Sequence, residues 1–369
     1  MKKVVFFTNM FSHYDEPLWK LFLKEDTFDF KFYFSENSNG IIHPKNISSL
    51  KNTFPSKLNL IKSITIGKIL IWQFGVIKKA FFSDYDIYIF NGEMNCFSTW
   101  ISALILKIRK KTIVFWGHGL YGNEGILKLK IRLFFYRLAN YNFVYENHSK
   151  NLLNKQGFEP NKILTVYNSL DYVSQKSILK NNVNFNKNIF STCFLNSNLF
   201  TLIFIGRLTK RKQIDFLIRN IKKRKDINLY IIGNGNEKTS LTNLSFNCKN
   251  IFFHGDEYNE IKLANIIANS DLCVSPGNIG LSAVHCLTYG TPIATHNDFN
   301  NQMPEAEIII DGFNGFFFDR NSNESFTEKL NSWIINHDRE KIRKQCYSSV
   351  LNYTPQNQLK IIKKFILSL

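Results

Sequence analysis

Short apolar runs closed by Gly, Asn or Pro alternate along this chain with longer stretches whose apolar positions recur at helical spacing. In the first half, the runs Val4 to Thr8, Phe28 to Ser35, Asp86 to Asn91, Thr112 to Trp116, Phe143 to Glu146 and Leu164 to Tyr167 predict strands. Between them the spacing predicts a helix with Pro17 near its start, an apolar helix from Lys68 to Phe82, and helices over Phe97 to Lys107 and Gly125 to Ala139. Residues 36–65 are polar and give no assignment. A second alternation starts at Phe200, with strands Leu202 to Ile205, Asn228 to Ile232 and Ile251 to His254 and a helix Ile214 to Ile221. It continues into a buried strand, Leu272 to Ser275, a Pro-Gly-Asn loop, a helix opening near Gly280, the stop Tyr289-Gly290-Thr291-Pro292 and a strand Ile293 to Thr295. Gln358 to Leu369 reads as a last helix with no evident packing partner.

Strand alternating with helix predicts α/β architecture, here two doubly wound parallel-sheet, Rossmann-like domains. Their expected extents are 1–175 and 200–350, joined by an Asn-, Lys- and Ser-rich linker over 176–199 and followed by a helical segment over 351–369. Ligands of open α/β sheets bind beyond the carboxyl ends of the strands, so a cleft between the domains is the expected site. The stretch Ser270 to Asp319 is the strand-loop-helix-strand unit around which the second half is organised. Its loop and helix start present backbone N–H groups suited to an anion, with phosphate the obvious one.

At 369 residues and 44% hydrophobic, the chain can bury two substantial cores. Its net charge of +18 is concentrated in residues 51–150, which points to anionic partners: nucleotides, lipid headgroups or nucleic acid. Nucleic acid has charge alone in its favour, without a recognition motif. The helix Gly125 to Ala139 sets Lys128, Lys130, Arg132 and Arg137 among Leu, Ile and Phe, a pattern that fits a core helix with solvated lysines and a membrane-surface helix alike. Six cysteines without C-x-x-C spacing imply a reducing compartment and no zinc site. MKKVVFFTNMF has too short an apolar run for a signal peptide, and no run approaches the length of a spanning helix, so the expected location is cytoplasmic.

Chemistry concentrates in the second half. Gly206-Arg207-Leu208 follows a strand, with Lys212 a few residues on, so an Arg fork and a Lys point charge stand where a diphosphate would bind. Gly233-Asn234-Gly235 is half a dinucleotide fingerprint and lacks the rest. Asp84-Tyr85-Asp86 has the look of a metal-binding Asp-x-Asp but precedes its strand, which makes it a loop; His285 and His296 have no third ligand at a suitable spacing.

The ordered set IGRLTKRK, IIGNGNE, IFFHGD, SDLCVSPG, GLSAVHCLTYGTPIA and PEAEIIIDGFNGFFF resembles the family-four glycosyltransferases, which have the two-domain GT-B fold. In the first half the resemblance rests on WGHG and VYNSLD. It implies retaining transfer of a sugar from a nucleotide-sugar donor without a metal or other cofactor. Arg207 and Lys212 would grip the donor diphosphate and neutralise charge on the leaving group. Gly206 and Gly233 would join the donor site, and backbone amides at Gly280, Leu281 and Ser282 would add to the cradle. Glu305, after Pro304, would cap a helix or orient the site, and His118 matches the first-domain histidine that approaches the transferred sugar.

The chain departs from the family where two glutamates usually stand eight positions apart, for those positions hold Gly277 and His285. A glycine cannot replace a carboxylate, whereas a histidine can still bond a ribose hydroxyl. Asn278 would assist next door, with Asn300, Asn301 or Gln302 contacting the sugar. The implied protein is a cytoplasmic, membrane-peripheral transferase acting on a saccharide or lipid-linked acceptor in bacterial surface polysaccharide assembly, with its basic segment on an anionic membrane surface. The alternative is a catalytically silent nucleotide-sugar-binding subunit.

Overall fold

The computed structural model describes residues 1–8, 12, 14–35, 47–67, 69–336 and 338–369. The chain divides into two compact units, Met1–Ser169 together with Pro355–Leu369, and Leu170–Thr354. The strands of the first are β1 (Lys3–Thr8), β2 (Asp29–Ser35), β3 (Leu58–Ile61), β4 (Ser63–Ile66), β5 (Leu70–Gln73), β6 (Ile87–Asn91), β7 (Thr112–Gly117), β8 (Tyr141–Val144) and β9 (Ile163–Thr165). Seven of them form one parallel sheet in the order β3-β2-β1-β6-β7-β8-β9, with Phe6 opposite Phe32 on one side and Ile89 on the other. Being covered on both faces, the strands are apolar at nearly every position, as buried parallel strands require. The core is aromatic: Phe22 stacks on Phe30 at 4.8 Å, and Trp19 meets Phe32 edge-on at 4.9 Å and Trp116 at 5.6 Å.

Two expectations change here. The helix expected from Lys68 to Phe82 is shorter, Val76–Phe82, because the run Leu70–Gln73 pairs with Ser63–Ile66 as an antiparallel hairpin. An apolar run rich in Ile and Trp suits either period, and Gly75 (φ 79°) breaks the chain before the helix. Lys68 itself, and 36–46 of the unassigned stretch, lie outside the described residues. The last helix, Pro355–Ser368, returns to the first unit: Ile362 and Ile366 are fully buried in its core, Lys363 pairs with Glu25 at 3.0 Å, and Gln358 binds Ser169 and the Tyr167 carbonyl.

The second unit carries β10 (Phe200–Ile205), β11 (Ile227–Ile232), β12 (Ile251–Gly255), β13 (Leu272–Ser275), β14 (Ile293–His296) and β15 (Gly315–Phe318) in one parallel sheet ordered β12-β11-β10-β13-β14-β15. The order reverses between β10 and β13, which run side by side with Leu202 opposite Leu272 and Ile203 opposite Cys273. The carboxyl edge of the sheet at this reversal is where such sheets bind ligands.

Residues 176–199 are built into this unit and do not form a free linker. They continue the helix Tyr172–Asn182, and then Phe190 and Phe194 pack on Tyr230 while Lys187 pairs with Asp271 at 2.6 Å. Two buried phenylalanines suffice to hold a polar, Asn-rich segment whose backbone is bonded to Asn265 and Asn269.

Candidate functional site at the switch point of the second sheet

The loops after β10 and β13 meet closely. Gly277 donates its N–H to the Lys212 carbonyl at 3.1 Å, and a Cβ at position 277 would stand 2.1 Å from the Arg211 carbonyl oxygen. Glycine is therefore required there by contact with backbone, and a glutamate cannot occupy the position without the loops separating. Gly233 plays the same part beside β11, where a Cβ would sit 1.9 Å from the Gly206 carbonyl oxygen.

The close approach places the Lys212 ammonium 2.5 Å from the Asn278 carbonyl oxygen, with its stem passing Gly206. Burial first, and the neighbouring Arg211 second, push this lysine from 10.5 down to about 8, against the opposing pull of Glu305. Glu305 is buried behind it, and Gly280 faces its Oε2, 3.8 Å from where a Cβ would be. Asn278 is 5% exposed, and its side-chain oxygen has no hydrogen-bond partner among the described residues. Lys212, Asn278, Gly280, Gly206 and Glu305 thus come together. Leu281 and Ser282 form a half-buried rim at the start of the helix Ser282–Thr288, and Arg207 is exposed on the loop directly after Gly206.

Two residues act differently from expectation. Gln302 does not present its amide to a sugar: it is buried, accepts from the Ile279 N–H at 2.8 Å and donates to Thr295 Oγ1 and the His296 carbonyl, bracing the 277–280 loop from behind. His285 is engaged within the protein. Its Nε2 lies 2.9 Å from Glu260 Oε1, which also accepts from Tyr289 at 2.7 Å and Gln175 at 3.1 Å. Burial would raise the Glu260 carboxyl, but His285, Tyr289 and Gln175 outweigh it and hold the group down to about 2. Sequence reasoning missed Glu260 and Gln175. Asn259-Glu260 reads as an ordinary helix start, which it also is, since Asn259 accepts from the Lys262 N–H.

In the first unit, His118 sits in a tightly organised loop. Glu124 accepts from the N–H groups of Tyr121 and Gly122 and pairs with Arg132 at 3.2 Å; Arg132 also donates to the Gly119 carbonyl. The Tyr136 hydroxyl accepts from Gly119 and donates to Gly92, and Ser149 donates to the His118 carbonyl. The His118 ring stacks on Tyr121 at 5.6 Å and meets Tyr145 edge-on at 5.1 Å. Asp84 and Asp86 lie in the loop entering β6, where Asp84 pairs with Lys111 and Asp86 accepts from the Lys3 N–H. Among the described residues no group of three His, Cys, Asp or Glu could hold a metal ion, and no helix is long and apolar enough to cross a membrane.

Two parallel α/β sheets, the second with its cationic site at the β10/β13 reversal, define the class: this is the GT-B fold. Residues 186–349 match the family described as "Glycosyl transferases group 1". The O-antigen biosynthesis glycosyltransferase WbnH of Escherichia coli is 24% identical over 229 residues, 61% of this chain and 58% of WbnH. The chain thus matches little more than half the length of that relative. Among solved structures, Anabaena Alr3699/HepE in complex with UDP has a TM-score of 0.71 at 14% identity over 100% of both chains. The apo form of the lipopolysaccharide outer core galactosyltransferase WaaB has 0.73 at 14% identity over 99% of both.

Proposed function

We propose that the chain is a retaining glycosyltransferase that moves a sugar from a nucleotide-sugar to a saccharide acceptor carried on lipid, in assembly of a bacterial surface polysaccharide. The observation that carries this reading is the Lys212 ammonium held against the Asn278 carbonyl at the β10/β13 switch point, with Glu305 behind it. A diphosphate seated there removes the penalty of a buried lysine and gains a charge-assisted bond. Arg207, exposed beside it, adds a second cation. The two would neutralise the charge that grows on the departing diphosphate as the glycosidic bond breaks, a task that in this reading needs no metal. The second unit is the donor side, in keeping with the family match over 186–349, and the first unit, with His118, is the acceptor side.

Exposed apolar residues support the lipid-linked acceptor. Phe81 and Phe82, Leu104 and Ile108, and Ile126, Leu127 and Phe134 are all exposed, among Lys78, Lys107, Lys110, Lys111, Lys128 and Lys130. A basic surface with exposed Phe and Leu suits an anionic bilayer.

The test is a thermal-shift panel of UDP, GDP, ADP and CMP with their common sugar conjugates, followed by assay of nucleoside diphosphate release with acceptor present. One nucleotide standing clear of the others, and release that depends on acceptor, are the expected results. In Arg207→Ala with Lys212→Ala, nucleotide binding is expected to disappear from a folded protein; unchanged affinity would refute the phosphate assignment. A second reading, a silent donor-binding subunit, is favoured by Gly277, where no side chain fits. Saturable nucleotide binding without turnover on any acceptor would support that reading instead.

A further inference from the structure

A second cavity in the Leu170–Thr354 unit has no part in a diphosphate site. It measures about 520 Å³, a volume in the range of ligand pockets, and lies between the helix Ile214–Ile221 and the loop that leads from β15 into the helix Asn323–Ile335. Gln213, in its wall, directly follows Lys212.

Amides dominate the lining. Asn220 donates from its side-chain NH2 to the Phe216 carbonyl at 2.9 Å and to Asn323 Oδ1 at 2.8 Å. A backbone carbonyl only accepts, so both orientations are fixed: Asn220 Oδ1 is left as an acceptor and the Asn323 NH2 as a donor. Gln213 donates to Asn321 Oδ1 at 2.8 Å, which leaves another carbonyl and another NH2 group. These groups make no further hydrogen bond among the described residues. Gln213 and Asn321 both hold positive φ, 51° and 64°, a left-handed conformation that is uncommon for Gln. Phe216 supplies the apolar part: Phe318, parallel at 6.1 Å, and Phe326, edge-on at 5.6 Å, back a half-buried ring whose remaining surface lines the cavity. Asp215 and Arg219 pair at 3.4 Å, so the lining carries no net charge, although the chain as a whole carries +18.

This combination selects a class of ligand. A phosphate, a nucleotide or an anionic headgroup meets no uncompensated cation here, and a wholly apolar ligand would desolvate open amide groups without bonding them. A hydroxyl both donates and accepts, which suits neighbouring carbonyl and NH2 groups, and a sugar ring carries several hydroxyls around a C–H face that can lie on Phe216. We propose that the cavity is a saccharide-binding site, separate from the donor site, that holds a neutral stretch of glycan. That this stretch belongs to the acceptor or product of a transferase rests on the reading above, whereas the binding of saccharide itself does not.

The test uses saturation-transfer NMR and calorimetry on the full chain, with linear hexasaccharides of glucose, galactose, mannose and N-acetylglucosamine as probes. At least one is expected to bind the wild type and to stay bound when UDP, GDP or ADP is added at saturation. Asn321→Gly with Asn323→Ala removes two exposed amides and keeps the backbone free to hold positive φ at 321. The pair is expected to weaken that saccharide about tenfold, as loss of two neutral hydrogen bonds would, and to leave nucleotide affinity within about a factor of two. Each substitution is also made singly, with about a threefold loss expected, so a double variant that fails to fold leaves the comparison intact. A panel in which no saccharide binds, binding that the folded variants leave unchanged, or displacement of the saccharide by nucleotide would each overturn the proposal. Saccharide binding of the expected kind by a protein that binds no nucleotide would uphold this site while removing the donor reading.

Discussion

If Lys212 meets the donor diphosphate as proposed, it makes donor binding pH-dependent in a window where an ordinary lysine would be silent. Burial holds it at about 8 in the free protein, against 10.5 in an unfolded chain. A diphosphate against the ammonium restores the proton and lifts the value well above 8, so binding and protonation are linked. With a free-state value of 8, the protonated fraction falls from about nine-tenths at pH 7 to about 3% at pH 9.5, and the dissociation constant for a nucleoside diphosphate is expected to rise about thirtyfold over that range. Calorimetry in buffers of different ionisation enthalpy at pH 8.5 should record uptake of about three-quarters of a proton per ligand. Lys212→Arg, which stays charged throughout, should flatten the profile. The stability signature has a definite sign. Because the folded value lies below the unfolded one, the folded chain binds fewer protons between about pH 8 and 10.5, and stability rises with pH across that window. The penalty, about 3 kcal/mol, is present in full below pH 8. A dissociation constant that stays level from pH 7 to 9.5, with no proton uptake, would show that Lys212 does not meet the ligand.

Two further tests address the family departure and the membrane. Gly277→Glu, which restores the residue type usual in the family, should destabilise the protein, because the new Cβ would lie 2.1 Å from the Arg211 carbonyl oxygen. A loss of roughly 3 kcal/mol, seen as a fall in Tm of roughly 5–10 °C, is expected, with no gain in turnover; a stable and more active variant would show that the loops separate freely. Flotation with vesicles should require anionic lipid, weaken with salt and drop when Phe81, Phe82 and Phe134 are changed together to Ser. Binding indifferent to lipid charge and salt would remove the membrane surface from the account.

How much of this was legible in the sequence depends on how local the physics is. Strand-helix alternation is local, so Ile214–Ile221 and Leu272–Ser275 could be placed from periodicity alone. The hairpin Ser63–Gln73 was missed because four apolar residues suit a strand and a helix equally, and a partner strand decided the matter. The return of Pro355–Ser368 to the first unit was not readable either. Its apolar stripe states that it packs, but not on what, and the answer lies more than three hundred residues away at Glu25 and Lys2. Within the site, Arg207 and Lys212 stood out because cations after a strand are a pattern. Glu260 did not, since its partners His285 and Gln175 are 25 and 85 residues distant and no spacing rule joins them.

Those long-range contacts bear on whether the departures at 277 and 285 mean lost function. A decaying site keeps its scaffold and loses charge at random. Here each departure comes with a structural counterpart. Glycine at 277 lets the Arg211–Lys212 backbone close on the loop, and that closure carries Lys212 to the Asn278 carbonyl. Histidine at 285 is oriented by a carboxylate from the neighbouring helix, and Tyr289 and Gln175 converge on the same oxygen to hold it ionised. A negative charge thus stands on the neighbouring helix, on a half-buried Glu260 that several donors keep ionised. A charge kept beside position 285 favours, within the proposed reading, an active transferase with rearranged donor contacts over a silent subunit.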